Sequence, residues 1–400
     1  MVCPWRADEM DAVADDLDWQ QKDTLKVVGN FDDDYKALCE FFELPEHPCL
    51  EQRRQKQQPE DETAATRSST AMNISNSNSN SSKNKSFLHV RNFVVDRTTL
   101  MIMLEALKRS SNIDTFTFHN TGLNNASVRL LAEGLPHTPV RFFSLDYNSD
   151  GTKQNAGVAT EAGQNEAAPP LRPSAEALAD LVSEASKLKA LSLRGNGLGD
   201  REAAAIAEAI ETNTTLCSLN LFDNAITDDG AAAIAASLRL NTVLRGLSLS
   251  RNHLTAVSAE TFGLLLAGGY EVSLEEIEKR SVAKAKITAL NKTAQDAMKK
   301  KRDAKVETRL PLSEISKTKD GQWIAGGSRS LAALNLSDNR ELGADGAIPT
   351  MLAKLVEARN EAAPAAMQGT AVVTTMTTPA LQELHLRRCQ ASAVASGNGD

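Results

Sequence analysis

The sequence predicts an α/β fold: a solenoid of stacked strand-and-helix units. Two observations predict it, and a third agrees. A frame recurs in identical steps, Leu188-x-x-Leu191-x-Leu193-x-x-Asn196-x-Leu198, then Leu216, Leu219, Leu221, Asn224 and Ile226, then Leu244, Leu247, Leu249, Asn252 and Leu254, each copy 28 residues after the last. Behind every frame stands a second set at helical spacing. Ala203, Ile206, Ala207 and Ile210 match Ala231, Ile234, Ala235 and Leu238, then Ala259, Phe262, Gly263 and Leu266. Steps of three and four put these residues on one helix face. Finally, aromatic residues make up only 4% of the 400 residues, so a core must be filled by aliphatic side chains.

The elements follow in chain order. Residues 1–50 read as an acidic N-terminal extension; residues 1–60 carry the whole net charge of -8, and the remainder is balanced. Within it, DDDYKALCEFFEL predicts one short amphipathic helix that packs on the array or meets a partner. Residues 51–86, rich in Gln, Ser and Asn, predict a disordered linker. The array is expected over 87–400. Leu88 and Val90, followed by Met103, Leu104 and Leu107, predict an N-terminal cap. A first weak copy has Ile113, Phe116, Phe118 and Leu123 with Thr121 at the Asn position, and Val128, Leu131, Ala132 and Leu135 behind. The next has Val140, Phe143, Leu145 and Asn148, completed by Ala175, Leu178, Ala179 and Val182. After the three strong copies come Leu331, Leu334, Leu336 and Asn339, then Leu381, Leu384 and Leu386 with Cys389 at the Asn position.

Insertions are expected at 149–172, 267–330 and 357–380. The second contains a charged helical stretch with an imperfect apolar stripe (Leu274, Ile277, Val282, Ile287, Leu290, Met298) and a basic run, Lys299 to Arg302, readable as a solvated helix end, a targeting signal or an acidic-partner contact. The two later insertions leave from the same rim, a candidate docking surface. Asp200 and Asp228 are placed to cap the helices they open. The chain stops soon after a strand, which predicts a fragment of a longer protein or an exposed last unit. One unit cannot bury its own apolar face, so the units must stack.

These frames resemble the leucine-rich repeat superfamily, and the strand-plus-helix unit resembles its ribonuclease-inhibitor-like branch. The resemblance implies a horseshoe with a concave parallel sheet and convex helices, in which the leucines of Leu-x-Leu point inward, the residues between them face the concave side, and the asparagines form a ladder under the turns. Alternation independently gives the same inward and outward faces.

Function is approached first by exclusion. The sequence holds no G-x-x-x-x-G-K-S/T phosphate loop, no G-x-S-x-G elbow and no H-E-x-x-H or paired C-x-x-C, so no enzyme is expected and no cofactor. Cys39, His47 and Cys49 lie close in sequence, but their spacing fits no standard zinc site, and no metal is expected. The acid excess argues against nucleic acid, no apolar run is long enough to span a membrane, and no small-molecule substrate is suggested. Five scattered cysteines predict an intracellular, cytoplasmic chain.

The concave columns supply the partner-binding candidates: His119, Phe142, Asp146, Arg194, Asn220, Phe222, Asn335, His385 and Arg387. Phe222 is expected as an exposed anchor, and Asp146 with Arg194 as an ion pair across neighbouring strands. The columns are otherwise small and polar, which suits a helix or peptide lying along the sheet. The predicted function is a non-catalytic protein–protein interaction scaffold. Residues 88–260 are similar in style to leucine-rich repeat proteins of motile cilia and flagella, which implies a ciliary or cytoskeletal assembly. The alternative is a Ran-type GTPase-activating protein, which shares the repeat branch but carries an acidic C-terminal tail that this chain lacks.

Overall fold

Leu191, Leu219 and Leu247 lie side by side, as a 28-residue step in a stacked array demands. They belong to strands β4 (Ala190–Ser192), β5 (Ser218–Asn220) and β6 (Gly246–Ser248) of a parallel sheet of eight strands. The computed structural model describes residues 25, 27–57, 86–148, 173–183, 185–300, 309–362 and 381–389. Expectations for 149–172, and for most of 51–86 and 357–380, lie outside the described residues, as do Lys301 and Arg302 of the basic run.

The sheet begins with β1 (Ser86–Arg91), β2 (Ile113–His119) and β3 (Phe142–Asp146). One row of inward side chains crosses it from edge to edge: Leu88, Phe116, Phe143, Leu191, Leu219, Leu247, Leu334 and Leu384. The last two stand on β10 (Ala333–Asn335) and β11 (Glu383–His385). Helices α3 (Arg97–Arg109), α4 (Asn125–Gly134), α5 (Ala175–Val182), α6 (Asp200–Thr212), α7 (Asp228–Leu238) and α8 (Ala256–Ala267) return the chain on the other side. Their predicted apolar faces are buried in one continuous core except in α5, where Ala179 is half-buried and the residues in the core are Ala177, Leu178, Leu181 and Val182. Gly263 is small for a reason: a Cβ there would stand 3.0 Å from Met351 of α10 (Ala347–Ala362), so the two helices touch.

Two features of the chain start depart from expectation. Leu88 and Val90 do not form a cap but a complete strand, paired over its length with β2 and followed by its own helix, α3. The cap lies earlier. In α1 (Phe31–Phe41), Phe31, Tyr35, Leu38 and Cys39 are buried in the array core, joined by Leu50 of α2 (Pro48–Gln57). Arg53 fastens this cap to the sheet edge, donating to the Phe87 carbonyl at 2.8 Å and pairing with Asp32 at 3.2 Å.

Three ladders hold successive units together. The predicted asparagine ladder is present. Asn224 Oδ1 accepts from the backbone of Asn196 and Leu198, both at 3.1 Å, while its Nδ2 donates to Leu193 and Leu221 carbonyls at 3.0 Å. Asn196, Asn252 and Asn339 repeat this bridging of adjacent turns. Cys389 donates through Sγ to the Leu336 carbonyl at 3.2 Å. A second asparagine ladder was overlooked in the sequence. Asn213 and Asn241 bind the Val182 and Ile210 carbonyls at 2.7 Å while accepting from the backbone ahead of the next strand. The third ladder corrects an expectation: Asp200 and Asp228 cap the following unit's helix, not their own. Asp200 accepts from Thr227 and Gly230, and Asp228 from Thr255 and Ser258. The reason is packing: consecutive helices lie so close that each first turn reaches its neighbour's free N–H groups.

The 267–330 insertion leaves the main sheet intact, since β10 pairs directly with β6. It folds as a three-stranded antiparallel sheet, β7 (Gly268–Glu271), β9 (Trp323–Gly326) and β8 (Ile315–Lys317), with α9 (Leu274–Lys300). Buried Arg280 ties it to the array. It pairs with Glu276 at 3.0 Å, donates to Tyr270 Oη at 2.5 Å and reaches the Arg239 carbonyl at 3.4 Å. Arg239 in turn lies 4.2 Å over the Tyr270 ring and pairs with Glu276 at 3.3 Å. Burial raises the Tyr270 phenol above its ordinary value, so it stays a neutral donor and acceptor within this network. Among the described residues, no helix is long and apolar enough to cross a membrane.

Candidate interaction surface on the concave sheet

Alternation along strands of 3.3 Å per residue leaves three ladders of side chains on the concave face. The first runs Phe87, Thr115, Phe142, Ala190, Ser218, Gly246, Ala333 and Glu383. The second runs from His89 through Ser144 and Asn220 to Asn335 and His385. The third lies where the strands end and holds Arg91, His119 and Asp146. Arg194, Phe222, Ser250, Ser337 and Arg387 continue its positions beyond the shorter strands.

At the strand ends of β2 to β5 the structure gathers His119, Asp146, Arg194 and Phe222, but not as the sequence suggests. Asp146 is buried, and its Oδ1 accepts from Ser192 Oγ at 2.7 Å and from the backbone N–H of Arg194 at 3.0 Å. The expected ion pair is replaced by this backbone contact. The Arg194 guanidinium instead lies 4.7 Å over the Phe222 ring and 5.9 Å from that of Tyr147. Phe222 is therefore half-buried under a cation and is not the free aromatic anchor expected. The exposed rings stand at the other end of the strands, Phe142 at 42% and Phe87 at 62%.

Phe87, His89, Arg91 and Tyr147 were overlooked in the sequence. The first three belong to a strand read as a cap, although alternation in FLHVR carries the same signal as later strands. Tyr147 follows its strand in the left-handed region, with φ of 55°, a position occupied in successive units by Asn120, Gly195, Asp223, Arg251, Asp338 and Arg388. Its ring lies 5.2 Å from that of His119 and fills the space where Gly195 has no side chain; a Cβ there would be 2.3 Å from Tyr147 Cδ1.

The remaining candidates do not join this cluster. Asn220 and Asn335 fold back onto the backbone N–H groups of Phe222 and Ser337, both at 3.1 Å. His385 and Arg387 are exposed at the far end of the sheet, where His385 Nε2 lies 3.5 Å from Glu383. Away from the sheet, His47 has both ring nitrogens engaged, one 3.2 Å from the Val94 carbonyl and one accepting from the Cys49 backbone at 3.3 Å. Burial lowers its pKa and favours the neutral ring.

A family model described as Leucine Rich repeat matches residues 184–207, 212–235 and 327–349. The chain carries leucine-rich repeats. Two of the matched segments contain strong copies of the frame, and the third contains the late copy around Leu334; strands outside these segments pair in the same parallel sheet. No curated protein matches the chain. Among solved structures it is similar to "Leiomodin-1 Actin-Binding Site 2 (ABS2)", with 26% identity over 33% of this chain and 83% of that one, at a TM-score of 0.20.

Proposed function

We propose that this protein is an interaction scaffold whose concave sheet holds a helix or extended segment of another protein. The observation that carries the reading is the first concave ladder. Phe87 and Phe142 stand exposed at its start, and Ala190, Ser218 and Gly246 continue it as a track of small groups. Exposed aromatic rings beside a shallow track offer apolar anchors without blocking a slender partner. The stacked units supply rigidity, so the surface is preorganised and little ordering cost falls on the scaffold. A place in a ciliary or cytoskeletal assembly is the finer reading, and it rests on the resemblance of residues 88–260.

Photo-crosslinking in the native cell tests it. A photoreactive residue at Ser144 or Ala190 is expected to capture one protein that a convex control at Ala232 does not. Equal capture from both faces would count against the concave site. Tubulin or axonemal proteins among the products would support the ciliary setting. Accelerated GTP hydrolysis by a small GTPase would instead promote the alternative.

A further inference from the structure

Among the described residues, the Arg194 guanidinium makes no side-chain hydrogen bond and joins no ion pair. Its contacts are the faces of Phe222 and Tyr147, and its Nε is closed off from solvent without a hydrogen-bond partner. A ring under the guanidinium restrains it before anything binds, and the half-buried side chain keeps its terminal N–H groups, which are not closed off as Nε is, for a charged acceptor. Asp146 pairs with the backbone N–H of Arg194 and with Ser192 Oγ through Oδ1, and makes no ion pair with the guanidinium.

The charge around the track points the same way. At the opposite end of the strands from Arg194, a backbone hydrogen-bond ladder crosses the strand starts through Asp114, Arg141, Lys189, Cys217 and Arg245, bringing three cations and one carboxylate to that rim. Taking this together with the concave reading on which it rests, we infer that Arg194 is the specificity anchor of the site and receives an Asp or Glu carboxylate from an acidic partner segment. A carboxylate fits better than a phosphate. One guanidinium matches one negative charge, whereas a phosphoryl group brings about -1.5 to -2 into a site already holding Asp146. The level of Phe142 lies four residues from that of Asp146 along β3, about 13 Å at strand rise. A partner lying along the track reaches both Phe142 and Arg194 only if its apolar and acidic side chains project toward opposite ends of the strands.

Random peptides displayed on phage and panned on the full-length protein test this. Binders lost on Phe142→Ala and on Ser144→Trp, with unchanged circular dichroism for both variants, define the concave set. Within that set a shared Asp or Glu is expected. Its exchange to Asn or Gln should weaken binding roughly 30-fold, Arg194→Gln should do the same, and the two together should do no more. Arg194→Lys should not restore binding, because it keeps the charge and loses the fork. The peptide exchange leaves the protein untouched, so a folding defect cannot imitate the result. Concave binders without a shared acid, or indifferent to Arg194→Gln, would overturn the inference and leave the concave site standing. Binders that all survive Phe142→Ala and Ser144→Trp would overturn the site itself. Tighter binding of a phosphoserine exchange, or displacement by a single-stranded oligonucleotide, would reject the carboxylate.

Discussion

At the scale of the residue, Asn224 and Asn220 are both strand-end asparagines, yet they do unequal work. Asn224 is buried and satisfies groups in two turns, while Asn220 is half-buried and holds only the Phe222 N–H. Asn224→Ala leaves several buried polar groups unmatched and should lower unfolding stability by about 3 kcal/mol. Asn220→Ala should cost about 1 kcal/mol. Urea titration of both variants checks the contrast. Gly195 is constrained twice, by a φ of 64° and by the Tyr147 ring. Gly195→Ala should cost about 2 kcal/mol, and Tyr147→Ala in that background should recover only the part due to the clash.

At the scale of the element, helix caps reach across unit boundaries, and this makes stability depend on pH. Burial pushes the Asp228 carboxyl up, but hydrogen bonds from Ser258 and Thr255 outweigh it and hold the pKa below the ordinary 3.8. A depressed folded value means that the stabilisation is complete above the unfolded value, about 3.9, and is lost as pH falls through the folded one. Asp228→Asn should therefore unfold more easily than the parent at neutral pH, with the difference closing below about pH 4. Thermal melts across that range measure it. The insertion is a separate element held by a buried network. Arg280→Ala leaves Glu276 with Arg239 alone and takes the donor from Tyr270 Oη, and should loosen that attachment by about 2 kcal/mol. Hydrogen exchange should rise in α9 and β7 to β9 while α6 and α7 keep their protection; an equal rise in both regions would argue against a local anchor.

At the scale of the whole molecule, a one-dimensional array is vulnerable at its ends. Phe31 and Tyr35 cover the first unit from an extension that precedes the sheet. Phe31→Ala should cost about 3–5 kcal/mol and expose the faces of α3 and β1 first, seen as early loss of exchange protection there. Uniform loss along the array would mean that the units unfold together.

Much of this architecture was legible in the sequence because a period is a local property. Leu191, Leu219 and Leu247 carry the frame in their own spacing, and in a regular array identical spacing places them in register. The inward rows, the Asn196–Asn224–Asn252 ladder and the concave columns follow from that alone. What lay beyond reach depended on neighbours brought near only by stacking. No spacing tells that Asp200 caps the next helix, that Phe31 closes the core, or that Arg280 anchors an insertion to α7. Nor does it tell that the Arg194 guanidinium lies over the Phe222 ring instead of pairing with Asp146. The array was written in the periodicity, because each unit repeats the same burial problem. The surface chemistry was decided in three dimensions, because a side chain's partner is chosen by distance and desolvation rather than by position along the chain.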